Sequence, residues 1–214
     1  MYITQRALTF MRALLKSYGP SNLKKRLWDT EFSGGKWDFI DNTKGDCVYP
    51  CLEKYSRNGS ILDLGCGPGN TANEVAMTAY SSYVGVDISE AALEKATRRS
   101  DENDRGDKNR FVQGDFLNYI PTQQFDVILF RESMYHVPMG KIKSMLDRYA
   151  PYLRDQGVFI IRMETANSKL GRPQAMFDLV EAESEVVEKQ KHSATTVLVC
   201  RPKEALANAT RSPR

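Results

Sequence analysis

From residue 46 onward the chain alternates short apolar runs with longer stretches whose apolar residues recur every three or four positions. Ile61-Leu62-Asp63-Leu64, Tyr83-Val-Gly-Val-Asp87, Phe111 to Phe116, Phe125 to Phe130 and Gly157 to Ile161 are near-continuous apolar segments. They read as strands buried on both faces. Between them, Asn70 to Tyr80 offers Val75, Ala76 and Ala79 as a helix face, and Ser89 is an N-cap for a helix through Arg99 with Glu90 in its first turn. Ser100 to Asn109 is charge-dense and reads as an exposed loop, and Thr165 to Gln174 reads as irregular. Ile142, Met145, Leu146 and Tyr149 form a core-facing helical stripe that Pro151 ends. Glu183 to Lys189 and Thr195 to Arg201 read as a closing hairpin through His192-Ser193. This order predicts an α/β domain with a single doubly wound, mostly parallel sheet of seven strands, flanked by helices.

Before the sheet, Ile3, Ala7, Leu8, Met11, Leu14, Leu15 and Tyr18 form the apolar stripe of an amphipathic helix. Residues 1–45 are therefore assigned to an N-terminal helical cover, 46–202 to the sheet domain and 203–214 to a disordered tail. The segment Trp28 to Trp37 holds Gly34-Gly35 between aromatics, which suits either a mobile cover over a ligand or a satellite cluster packing the first helix.

Composition narrows the class. With 214 residues, 41% hydrophobic and 27% charged, the chain has the material for one folded domain. No apolar run reaches the ~18 residues of a membrane span, so no membrane partner is expected. A net charge of +3 is too mild to indicate nucleic acid, and Lys24-Lys25-Arg26 reads as a solvated face. The cysteines Cys47, Cys51, Cys66 and Cys200 show no disulfide framework, which fits a reducing, cytoplasmic compartment. Cys47 and Cys51 share a helix face, a metalloid site on paper, but with only two histidines packing is favoured and no metal is expected. The first 28 residues contain no acid, which overlaps with the composition of mitochondrial transit peptides. The amphipathic helix is the favoured reading.

The densest chemistry is Asp63-Leu-Gly65-Cys66-Gly67-Pro-Gly69 at the end of the first strand. Its glycines let the backbone turn sharply and a ligand come close. Asn70 stands where a dinucleotide-binding G-x-G-x-x-G needs glycine, and no phosphate-cradling Gly-Lys-Ser/Thr follows. A carboxylate-led turn suits a nucleoside bearing a cationic amino-acid group better than a pyrophosphate. Asp87, with Ile88 beside it, closes the second strand at the spacing from which an acid reaches ribose hydroxyls.

These motifs resemble the class I S-adenosylmethionine-dependent methyltransferases, with specific matches over about residues 58–163. The resemblance implies a Rossmann-like fold with an antiparallel C-terminal hairpin, S-adenosylmethionine as cofactor and S-adenosylhomocysteine as product. It implies that Asp115 touches the adenine amino group, that Phe116 packs on the base, and that Arg131 lies at the cofactor's amino-acid end, where the family usually has an uncharged residue. Asp63, Gly65, Cys66, Gly67, Asp87 and Ile88 complete the cofactor set, Cys66 through its small size and backbone. The proton acceptor for a methyl acceptor belongs just beyond the fourth strand. His136 stands there, with Tyr135 and Glu132 as neighbours able to orient the acceptor or take its proton. Arg131-Glu132-Ser133-Met134 lacks the Asn/Asp-Pro-Pro-Tyr/Phe run of the enzymes that methylate planar amino groups, and lacks the metal-binding Asp of catechol-type members. A small-molecule oxygen, nitrogen or sulfur acceptor is expected. RNA or protein methylation and non-catalytic cofactor binding are the competing readings.

Overall fold

The computed structural model describes residues 5–40, 42–165 and 172–203. Two helices, α1 (Gln5–Tyr18) and α2 (Ser21–Ser33), lead to α3 (Val48–Ser56) and then to the sheet. Its strands are β1 (Gly59–Leu64), β2 (Tyr80–Asp87), β3 (Asn109–Gln113), β4 (Phe125–Arg131), β5 (Leu153–Glu164), β6 (Ser184–Lys191) and β7 (Thr195–Pro202). Helices α4 (Asn70–Glu74), α5 (Glu90–Glu102), α6 (Ile142–Tyr149) and α7 (Arg172–Glu183) connect them. The strand order is β3-β2-β1-β4-β5-β7-β6. Pairing is parallel through β5, and β7 runs antiparallel to both β5 and β6. The order reverses between β1 and β4, and the crevice beyond the carboxyl ends of these strands is where open α/β sheets bind ligands.

The apolar runs divide residue by residue between two cores. Ile61, Val127, Leu129, Val158 and Ile160 face one side, against Val48 and Leu52 of α3. Leu62, Leu64, Ile128, Phe130, Phe159 and Ile161 face the other, against the α6 stripe Ile142, Met145, Leu146 and Tyr149 and against Met176, Phe177 and Val180 of α7. With both faces covered, neither surface needs polar residues, which is why these strands read as continuous apolar runs. Ser89 caps α5 as expected, its hydroxyl accepting from the Ala92 N–H.

Several elements differ from the sequence reading. The helix expected over Asn70 to Tyr80 stops at Glu74, because Arg105 takes the Ala72 and Val75 carbonyls at 2.9 and 2.8 Å. Residues from Tyr80 then join β2. Helix α5 runs on to Glu102, into the segment read as a loop. Helix α7 starts at Arg172, inside the stretch read as irregular, and continues through residues given no element: Met176, Phe177 and Val180 have helical spacing and are fully buried, a signal masked by the polar residues around them. The first helix forms, but Leu8, Met11, Leu14, Leu15 and Tyr18 are exposed rather than packed, and Ile3 lies outside the described residues. The expected tail from 204 also lies outside them. Among the described residues no helix is long and apolar enough to cross a membrane.

Phe130 lies at the centre of the α6-side core, fully buried and within 6.5 Å, centroid to centroid, of the Phe116, Tyr149 and Phe159 rings. Phe130→Ala is expected to lower unfolding free energy by about 3–5 kcal/mol in denaturant titration. A loss under about 1 kcal/mol would show that this core is not packed as described.

Candidate active site

A cavity of about 540 Å³ opens above the carboxyl ends of the strands, floored by the glycine turn and roofed by residues of α1, α2 and the segment after α2. Gly65 and Gly67 have φ of +84° and +52°, the left-handed region that side chains disfavour. A Cβ on Gly65 would lie 2.6 Å from the Ser133 Cβ, so the turn can press against the end of β4 only without a side chain. A Cβ on Gly67 would come no closer than 3.8 Å to any neighbour, so its α-carbon faces open space. The turn is tied to β2 by the Gly65 and Cys66 N–H groups, which donate to the Val86 carbonyl.

The expected cofactor residues gather around this floor. Asp87 accepts from the Gly67 N–H and the Ser89 N–H, both at 2.9 Å, and burial pushes its carboxyl upward. Ile88, Asp115 and Phe116 line the adjoining wall. Cys66 lines it too, with a buried thiol whose ionisation is pushed far upward by desolvation, so it is inert. Asp63 is the exception. It lies beneath the turn rather than in the cavity wall, almost fully buried, with Oδ2 accepting from the Tyr83 hydroxyl at 2.6 Å and Oδ1 unpartnered. Burial raises its carboxyl to about 6, against the pull of the Tyr83 hydroxyl and the Arg131 charge. The Ser133 hydroxyl is likewise buried without a partner.

Beyond β4 the structure joins residues the sequence did not connect. Arg131 donates to Asp46 Oδ2 from Nε (3.2 Å) and Nη2 (2.7 Å), and Arg162 at the end of β5 engages the same carboxylate. These guanidiniums hold the Asp46 carboxyl below its usual range despite burial. Arg162 also pairs with Glu132, which accepts in addition from the Glu164 N–H. Glu132 has φ of +55°, a strained conformation for a residue with a side chain. Tyr135 donates its hydroxyl to the Glu164 carbonyl at 2.8 Å, and burial, then the Glu132 charge, drives its ionisation far upward. Tyr135 therefore keeps its proton, and Glu132, whose carboxyl burial pushes upward, is engaged by Arg162 and the Glu164 N–H. The His136 imidazole faces the cavity, edge-on to Trp28 at a centroid separation of 5.0 Å. Burial, reinforced by the Lys16 and Lys24 charges, lowers it to about 4, so it is neutral at physiological pH.

The roof is polar where it meets the body. Lys24 and Ser21 of α2 donate to Asp115 Oδ2 at 3.1 and 3.0 Å, Asp29 accepts from the Ser89 hydroxyl at 2.8 Å, and Lys25 reaches Glu90 at 2.8 Å. Lys16 crosses from α1 to pair with Glu31 at 2.6 Å, its ammonium 3.4 Å from the Trp28 ring centroid. Trp28, Phe32, Trp37 and Phe39 make an aromatic wall. Asp46, Arg162, Lys16 and Lys24 were missed from sequence. For Arg162 a signal existed, a charge directly after the apolar run of β5. Lys24 gave none, since in sequence it is one of three consecutive cations. Cys51 is buried against the sheet, and among the described residues no cluster of His, Cys, Asp or Glu is arranged to hold a metal ion.

A family model described as a methyltransferase domain matches residues 55–208, most of the chain. A sterol 24-C-methyltransferase of Yarrowia lipolytica is 30% identical over 100 residues, covering 46% of this chain and 26% of that protein. The 27-O-demethylrifamycin SV methyltransferase of Amycolatopsis mediterranei is 29% identical over 125 residues, covering 55% of this chain and 46% of that protein. This chain thus spans about a quarter of the sterol relative's length and under half of the rifamycin relative's. Among solved structures, the N-methyltransferase NodS from Bradyrhizobium japonicum, in complex with S-adenosylhomocysteine, superposes with a TM-score of 0.66 at 18% identity, covering 84% of this chain and 98% of that one. At that identity the likeness shows the fold.

The Asp63 carboxyl is raised from an ordinary 3.8 to about 6, so the stability it contributes by holding a proton is full below 3.8 and is lost as pH rises through 6. Above pH 6 the buried carboxylate is a net cost. Asp63→Asn is expected to stabilise the free protein at alkaline pH by roughly 1–3 kcal/mol, with no gain in acid. Thermal melts at both pH values check this, and an equal or lower melting temperature in base contradicts it.

Proposed function

We propose that this chain, which belongs to the methyltransferase-domain family, transfers the methyl group of S-adenosylmethionine to an oxygen, nitrogen or sulfur nucleophile of a small molecule. Asp87 and Asp115 stand in the cavity wall at the ends of neighbouring strands, beside a floor of glycines under which Asp63 is buried, and this arrangement supports the reading. The donor set fits a nucleoside with a cationic end. The Asp87 carboxylate has lone pairs for a ribose diol, Asp115 for an adenine amino group, and Ile88 and Phe116 present apolar surface for the base. Arg131 is neutralised by Asp46, so its charge is shared before any ligand carboxylate arrives.

S-Adenosylmethionine supplies an electrophilic methyl on a sulfonium and leaves as S-adenosylhomocysteine. The protein supplies position, dryness and a proton acceptor. His136, neutral at physiological pH, is placed to accept the proton of a hydroxyl or ammonium acceptor. Tyr135 and Glu132 are locked by Glu164 and Arg162 and shape the wall that orients it. Helices α1 and α2 contribute to the roof of the cavity, and the polar attachment of α2 to Asp115, Ser89 and Glu90 suits a cover that opens. A cavity of about 540 Å³ walled by aromatics favours a small acceptor over a nucleic-acid or protein chain. The sterol and rifamycin methyltransferases that this chain resembles are named for small-molecule acceptors.

Asp87→Ala is expected to weaken S-adenosylhomocysteine binding by roughly 1–3 kcal/mol in calorimetry. Unchanged affinity would place the ribose elsewhere. His136→Ala is expected to lower kcat by about a hundredfold while cofactor affinity moves less than about threefold. Because the imidazole titrates near 4 rather than 6.5, the acid limb of the wild-type pH–rate profile should lie near pH 4 and be missing in the variant. A wild-type rate for the variant would remove His136 from the chemistry.

A further inference from the structure

Helix α1 is built the wrong way round for a core helix. Its last turn is anchored, since Lys16 and Ser17 are buried and Lys16 is clamped by Glu31 and Trp28. Everything described before that turn, residues 7–15, is exposed. The exposed part carries most of its bulk on one arc. Leu8, Met11, Leu15 and Tyr18 recur at three- and four-residue spacing, and Phe10 and Leu14 extend the arc on one side. The sequence pattern promised a buried stripe, yet the stripe faces away from the body. Single exposed apolar residues are ordinary, but a continuous helical arc of six marks a surface meant to be covered.

The chemistry of the segment identifies what covers it. The chain has no acid before Asp29, and exposed Arg12 flanks the arc while exposed Arg26 lies on the following helix. An apolar arc flanked by the Arg12 cation, in a stretch of chain without acids, matches a surface that is negative outside and apolar beneath, as an anionic lipid bilayer is. A second copy of this chain would bring the same cations against one another.

We propose that α1 is a membrane-surface anchor that lies in the interface of an anionic bilayer, with Leu8, Met11, Leu15 and Tyr18 in the acyl boundary. This needs no membrane span and asks nothing of the methyl-transfer reading, because vesicle binding can be measured without turnover.

The test is flotation of the full chain with phosphatidylcholine vesicles containing phosphatidylglycerol, beside vesicles of phosphatidylcholine alone. The protein is expected to float with the anionic vesicles and to be released by high salt. The double variant Met11→Glu/Leu15→Glu should lose about tenfold or more of that binding with an unchanged melting temperature. Failure of the wild type to float with either vesicle overturns the proposal. So does equal binding by the folded double variant, or a wild-type dimer in light scattering that the variant converts to monomer, since a second copy would then cover the arc.

Discussion

The glycine turn at the end of β1 is the constraint on which the remainder of the site depends. With left-handed backbone at Gly65 and Gly67, the chain folds back against Val86 of β2 and presses on Ser133 beyond β4. The carboxyl ends of these strands then surround one concave space with no side chain on its floor. Any residue with a Cβ at 65 would have to move the end of β4, and Arg131, Glu132 and His136 would move with it. Apolar burial on both sides of the sheet makes this rigid, because each strand is fixed by two cores at once.

Charge in such a place is tolerated only when shared. Asp46 lies between Arg131 and Arg162, Arg162 between Asp46 and Glu132, and Lys24 and Lys16 each meet a buried acid, so the cavity wall is a set of paired ions. Buried pairs of this kind add little net stability but make removal of one partner expensive. The geometry of the wall is therefore specified by charge while the folding free energy comes from the sheet. Asp63 and Ser133 depart from this rule, each with a buried polar atom lacking a partner. Both lie against the glycine turn, where a ligand with hydrogen-bond donors would complete them.

The sheet was legible in the sequence because a strand buried on both faces has no reason to carry polar residues. The first five strands appear where the apolar runs lie, with boundaries shifted by a few residues, and the last two form the closing hairpin, of which β6 is a polar edge strand. Helix α7 was not legible, since its buried residues, Pro173, Met176, Phe177 and Val180, are interspersed with polar ones that dilute the helical spacing. The floor of the site was legible for the converse reason, because glycines before a helix and acids at strand ends are local signals. The roof was not. Lys24 meets Asp115 across 91 residues and Arg131 meets Asp46 across 85, and no local pattern encodes a partner at that distance. The roles first weighed for Tyr135 and Glu132 narrowed likewise, because their partners, Glu164 and Arg162, lie on β5.

The glycine turn, with Asp87 and Asp115 beside it, is the proposed seat of an adenosyl group. A crystal structure with S-adenosylhomocysteine decides this: the ribose hydroxyls should lie on Asp87, the adenine between Ile88 and Phe116, and the amino group against the glycine turn. Density for the ligand away from Gly65–Gly67, or a turn left empty at saturating ligand, would contradict it.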